Sequence, residues 1–109
     1  LAERGFDVVA LDHFMPGLSC EATLRAILDR PEAPPVVYVT GSDEGRVAVA
    51  ALKAGAADYV LKDATDSFFE LLGQTLRQAV GVARARRERR EAREAIARAR
   101  DRAELLLRE

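Results

Sequence analysis

Short apolar runs separated by turn residues open the chain, and a long helical pattern closes it. Phe6-Asp7-Val8-Val9-Ala10-Leu11-Asp12 follows Gly5. Its length and valine content predict a strand buried on both faces. Met15-Pro16-Gly17 breaks the run. Ser19 then serves as N-cap of a helix over 20–29, with Ala22, Leu24, Ala26, Ile27 and Leu28 as apolar positions. Glu32-Ala33-Pro34-Pro35 is a connector, and Val36-Val37-Tyr38-Val39-Thr40 is a second strand closed by Gly41. Ser42 or Asp43 caps a helix over 44–54, with Val47, Ala48, Ala51 and Leu52 on one face and Gly55 just past its end. Ala57-Asp58-Tyr59-Val60-Leu61 is the third strand, and Ser67 begins the last helix after 62–66.

Strand and helix alternating three times through short loops predict right-handed βαβ units and a parallel sheet, an α/β fold. The last helix, from Ser67 to Glu109, contains no proline, and at about 1.5 Å per residue it runs roughly 60 Å. Phe68, Phe69, Leu71, Leu72, Leu76 and Val80 are expected to pack on the sheet. Beyond them Ala85, Ala92, Ile96, Ala99, Ala103 and Leu106 follow a seven-residue pattern, with Arg89 in its gap. This narrow seam suits a parallel or antiparallel coiled coil. Five pairs of opposite sign stand four residues apart: Arg87–Glu91, Arg90–Glu94, Glu94–Arg98, Arg100–Glu104 and Glu104–Arg108. Each is worth about 0.2–0.5 kcal/mol.

Composition narrows the class. With 109 residues, 49% of them hydrophobic, the chain suits one domain and is not a disordered segment. Its one cysteine, Cys20, excludes an internal disulfide and fits a reducing compartment, so a cytoplasmic location is expected. No apolar run is long enough to span a membrane and no secretory leader is visible. The opening Leu1-Ala2-Glu3-Arg4-Gly5 reads as the last turn of a helix, and a fragment is expected. Residues 1–66 hold six Lys/Arg and eleven Asp/Glu; residues 67–109 hold eleven Arg and seven Asp/Glu. Ten arginines in 84–108 raise nucleic-acid binding. Interleaved acids and the lack of aromatics favour a solvated coiled-coil face instead. A mostly alanine apolar face argues against a membrane-surface helix.

Ligands of parallel sheets bind beyond the carboxyl ends of the strands. Asp12, Thr40 and Lys62 close the three strands in turn. A carboxylate there can act as nucleophile toward a phosphoryl group, with the hydroxyl and ammonium stabilising the transferring oxygens. Singly, each has an ordinary reading as a turn, strand-end or surface residue. Together on successive strand ends they form a constellation. His13 is expected at the rim of the site, and Cys20 as a small packing residue. Gly41-Ser42 lacks the pattern of a phosphate-cradling loop.

Asp12-His13-Phe14-Met15-Pro16-Gly17, Pro35-Val36-Val37-Tyr38-Val39-Thr40-Gly41 and Ala54-Gly55-Ala56-Ala57-Asp58-Tyr59-Val60-Leu61-Lys62 resemble the receiver domains of two-component response regulators. The resemblance covers residues 1–80 and implies a flavodoxin-like receiver, with 81–109 as a helical coiled-coil linker. It implies that Asp12 is the phospho-acceptor, Thr40 the hydroxyl that bonds the phosphoryl group and Lys62 its ion-pair partner. Thr40 and Tyr59 take the positions of the switch pair: on phosphorylation the threonine moves inward and the aromatic ring rotates. Magnesium is the implied cofactor, with Asp12 and the Phe14 backbone carbonyl as ligands. A histidine kinase or phosphotransfer domain is the implied partner, and the domain itself is not an enzyme beyond its own phosphorylation and dephosphorylation.

A whole receiver has five strands in the order 2-1-3-4-5. This chain matches from the end of its second helix, so the first two strands, the first helix and the acidic pair that holds magnesium are expected to be absent. Asp63 stands where many members have proline. The edge of Phe6–Leu11 is then expected to lack its neighbour and to pair with a second copy, giving a homodimer through that edge, the coiled coil, or both. The alternative covering is a rearrangement with the long helix of a partner. Two functions follow: a phospho-accepting signalling module, or a non-phosphorylated dimerisation module. A metabolic enzyme ranks behind both, because no cofactor fingerprint is present.

Overall fold

A computed structural model describes residues 5–14, 19–41, 45–62 and 66–108. The elements alternate as β1 (Val9–Asp12), α1 (Cys20–Leu28), β2 (Val36–Gly41), α2 (Gly45–Ala54), β3 (Asp58–Lys62) and α3 (Ser67–Leu107). The strands form one parallel sheet in the order β1-β2-β3. The expected Met15-Pro16-Gly17 break, the Ser42 or Asp43 cap, Glu44 and Asp63 lie outside the described residues.

Central position explains the burial of β2. Val36, Val37, Tyr38, Val39 and Thr40 are all buried, because the strand has a neighbour on each edge and helices on each face. Alternation along the strand divides the core in two. Val36 and Tyr38 pack with Leu11, Cys20, Leu24, Ala51 and Ala56 beneath α1 and α2. Val37 and Val39 pack with Val60, Phe68 and Ala79 beneath α3.

The first strand is shorter than its apolar run. Val9 pairs with Val36, and the Val9 N–H donates to the Pro35 carbonyl at 3.0 Å. Pro34 and Pro35 precede that point on β2, the strand that β1 adjoins among the described residues, and prolines cannot extend a ladder. Phe6 and Asp7 are therefore exposed, while Val8 reaches the core under α3. Within the described residues, the outer edge of β1 carries no strand partner.

The expected cap of α1 is present: Ser19 Oγ accepts from the Ala22 N–H at 3.3 Å, and Asp29 is the C-cap rather than part of the helix. In α2, Ala48 and Ala51 are buried and Val47 packs against the cluster that holds Ala51, whereas Leu52 is exposed. Gly55 ends α2 at φ 116°, donating to the Leu52 carbonyl at 3.1 Å. A Cβ there would come within 2.8 Å of Leu28 Cδ1.

The long helix is continuous over 41 residues, and the molecule is 69 Å along its greatest dimension. Phe68, Leu72, Thr75, Leu76 and Ala79 make the stripe that meets the sheet. Phe69 and Leu71 were expected there and instead lie 74% and 49% exposed. At 100° per residue they fall to either side of the 68-72-75-79 stripe. Phe69 stacks edge-on against Phe68 at a ring-centroid distance of 5.2 Å. Because α3 starts beside the carboxyl ends of the strands, it runs back across the sheet and leaves at the opposite end. There Arg84 approaches Asp7 at 3.9 Å. None of the five expected i,i+4 pairs beyond that point closes to an ion pair.

Gly55→Ala is expected to destabilise the chain by about 1–2 kcal/mol, from backbone strain at positive φ and displacement of Leu28. Urea unfolding monitored by circular dichroism measures it. An unchanged midpoint would contradict this role for Gly55.

Candidate functional site

Register decides which strand-end residues meet. Asp12 lies opposite Val39, and Lys62 lies opposite Gly41, two residues further along β2. Two strand spacings of about 4.8 Å and two residues of about 3.3 Å put their backbones roughly 12 Å apart. Only a long side chain crosses that gap. Lys62 Nζ reaches Asp12 Oδ2 at 3.1 Å, joining the two outer strands over the end of the central one. Both residues share the side of the pleat occupied by Val39 and Val60, so the contact requires no departure from strand alternation.

The other Asp12 oxygen is held locally: the Phe14 N–H donates to Oδ1 at 3.0 Å. Burial works against ionisation of this carboxyl. The Phe14 N–H, the Lys62 ammonium and the nearby His13 outweigh it and hold the Asp12 pKa below the ordinary carboxylate value. Asp12 is thus an anion near neutrality, with one oxygen on a backbone amide and one on an ammonium.

Thr40 is buried completely, and its hydroxyl donates to the Gly41 carbonyl at 3.0 Å. It pairs with Leu61, one position out of step with Asp12 and Lys62, and so belongs to the other side of the pleat. The structure brings Asp12 and Lys62 together and leaves the Thr40 hydroxyl on its neighbouring carbonyl. Tyr59 lies on the outer strand opposite Tyr38 and is 37% exposed. The Phe14 ring is exposed, and its backbone lies beside Asp12 through the Oδ1 contact. Asp12 and one carbonyl are fewer oxygens than magnesium takes, and the described residues hold no cluster of three His, Cys, Asp or Glu side chains suited to a metal. They do not make a magnesium site by themselves.

Supports of the loop after β1 went unrecognised in the sequence. The Cys20 thiol donates to the carbonyls of Asp12 (3.1 Å) and His13 (2.8 Å). His13 Nδ1 lies 3.1 Å from the buried Tyr38 hydroxyl, and the His13 N–H donates to the Val39 carbonyl at 2.8 Å. The available signals were a thiol in the first turn of α1 and a hydroxylated aromatic within a valine strand.

The lowered pKa of Asp12 sets a pH dependence. Its ionised form is favoured in the folded state, so its stabilisation is complete above the unfolded carboxylate value of about 3.9 and is lost as pH falls through the lower folded value. The stability difference between the parent chain and Asp12→Asn is therefore expected to stay constant from pH 7 to about 5 and to change below about pH 4. Urea midpoints across that range measure it; parallel curves down to pH 3 would contradict it.

Residues 1–72 match the family model for the response regulator receiver domain. The chain is 44% identical over 93 residues to protein-glutamate methylesterase/protein-glutamine glutaminase 5 of Myxococcus xanthus, covering 78% of this chain and 27% of that protein. It is 38% identical over 89 residues to the C4-dicarboxylate transport transcriptional regulatory protein DctR of Rhodobacter capsulatus, covering 80% and 44%. The chain thus spans less than half the length of these curated relatives. Among solved structures, NtrX of Brucella abortus superposes with a TM-score of 0.67 at 27% identity, over 80% of this chain and 20% of that one. The receiver domain of the Francisella response regulator 1452 shares the fold, with a TM-score of 0.59 at 21% identity, over 73% and 64%. With an aspartate and a lysine joined across the strand ends of a parallel sheet, and a family match over residues 1–72, the chain belongs to the response regulator receiver domains of two-component signalling.

Proposed function

We propose that Asp12 accepts a phosphoryl group from a histidine kinase or phosphotransfer domain and that α3 carries the result onward. The 3.1 Å contact between Lys62 and Asp12 carries this reading. An Asp12 oxygen attacks the phosphorus of a phosphohistidine; the P–O bond forms as the P–N bond breaks, and the imidazole leaves with the bonding pair. Lys62 then turns from the carboxylate to the phosphoryl oxygens, where its charge is needed. The Thr40 hydroxyl, released from the Gly41 carbonyl, supplies a second bond, and Tyr59 on the adjoining strand has room to rotate. The reaction is self-catalysed phosphorylation, not turnover of an external substrate. We place it in the cytoplasm, where the reduced Cys20 thiol and the absence of any described helix able to cross a membrane raise no conflict.

The family match to residue 72 and the last sheet-facing residue, Ala79, support a receiver unit over 1–80 and a helical linker over 81–109. A second reading rests on exposed apolar surface: this chain dimerises without phosphorylation. Phe6 beside the outer edge of β1, and Ile96 and Leu106 on α3, are more than half exposed. Both readings include a homodimer, through the β1 edge, through a coiled coil of α3, or through both. Contact with nucleic acid is not part of either.

Intact-mass measurement after incubation with magnesium and a small phosphodonor tests the first reading. The parent chain is expected to gain one phosphoryl group and Asp12→Asn none. Lys62→Ala is expected to slow the gain at least ten-fold. No gain in the parent chain would overturn the phospho-acceptor and leave the dimerisation module.

A further inference from the structure

We infer that α3 pairs with α3 of a second copy in parallel and in register, and that Glu88, Arg89 and Arg93 set this orientation. The inference rests on the coiled-coil reading above and adds the direction of pairing to it.

The seam places Arg89, Ile96 and Ala103 at a positions and Ala85, Ala92, Ala99 and Leu106 at d positions of a heptad. A strict seven-residue repeat on a helix of 3.6 residues per turn winds two such helices left-handed about each other. Ile96 and Leu106 on this seam are 56% and 78% exposed, and they lie beyond Ala79, where α3 leaves the sheet.

Charges beside the seam distinguish the two directions. Arg86, Arg93 and Arg100 occupy successive e positions, and Glu88, Ala95 and Arg102 successive g positions. In a parallel pair each g position faces the e position of the next heptad on the other chain. Glu88 then faces Arg93 of the second copy, twice by symmetry, and lies beside Arg89 of the second copy. Ala95 faces Arg100 and Arg102 faces Leu107, so the like charges that meet are the two Arg89 side chains in the a layer, each with Glu88 of the other copy beside it. In an antiparallel pair e faces e. Centred on Arg93, it opposes Arg93 to itself and Arg86 to Arg100, a row of three like-charged contacts. The two Glu88–Arg102 contacts of that arrangement do not offset the row.

Arg93 also lacks an acid on its own helix. Its neighbours three and four residues away are Arg89, Arg90, Ile96 and Ala97. Arg86 has Val82, Ala83, Arg89 and Arg90. The opposite-sign spacings of four residues elsewhere on α3 bypass these positions, so the nearest acid that Arg93 can meet at the seam is Glu88 of the second copy. Arg89 at an a position weakens the seam but fixes the register, because it needs that same Glu88 beside it. The pairing brings the Leu105–Leu107 ends of two helices together and leaves both Asp12 sites at the far ends of their sheets.

Sedimentation velocity on the full chain, with disulfide trapping in a Cys20→Ala background, tests this. The parent is expected to sediment as a dimer. Leu106→Cys is expected to cross-link to itself in a glutathione redox buffer. Glu88→Arg and Arg93→Glu are each expected to weaken the dimer about ten-fold, and the double exchange to recover it to within about three-fold. The sites are exposed, and circular dichroism verifies that the helix is kept. A dimer in which Leu106→Cys cross-links only to Val82→Cys of another chain, and which Arg93→Glu tightens, would overturn the parallel direction and keep the coiled coil. A monomer, or a dimer untouched by Ile96→Asp, would overturn the coiled-coil reading itself.

Discussion

The central strand is the constraint on which the site depends. Among the described residues, the strands carrying Asp12 and Lys62 share no backbone pairing; each pairs with β2, and its register on β2 determines where its last residue stops. Slipping either strand by one residue would move its side chains to the opposite face of the sheet. Burial of all five residues from Val36 to Thr40 prevents this, because a slip would expose one half of the core and crowd the other. The ion pair is a consequence of packing some distance beneath it. Its own energy is small, since both side chains remain partly exposed to water.

The two faces of the sheet divide the work. Helices α1 and α2 cover one face, and through Cys20 and Tyr38 that face also holds the loop after Asp12. Helix α3 covers the other face and continues past it, so a change at the carboxyl ends of the strands and a change in the projecting helix share one rigid element. Thr40 and Tyr59 share the side of the pleat that faces α1 and α2.

Much of this was legible in the residues. Three short apolar runs separated by Gly, Pro and capping residues determine three strands, and Ser19 and Gly55 mark helix ends, one through its side-chain oxygen and the other through its backbone freedom. Asp12 and Lys62 were legible because strand ends in parallel sheets converge. What stayed hidden needed the register or a neighbour. The side of the pleat that Thr40 takes needs its pairing with Leu61. Phe6 and Asp7 read as strand until Pro34 and Pro35 are seen to end the ladder on β2. Phe69 and Leu71 are apolar like their neighbours, and only the phase of α3 against the sheet turns them outward. The bonds of Cys20 and His13 depend on side-chain directions that spacing does not carry.

The meeting of Asp12 and Lys62 is tested most directly by the carboxyl titration of Asp12, followed by carbon NMR in the parent chain and in Lys62→Met. The account requires a midpoint below the ordinary carboxylate value in the parent and a higher one in the variant, with the strands unchanged. Equal midpoints in the two chains would mean that the lysine does not reach the aspartate, and the site proposed here would not exist.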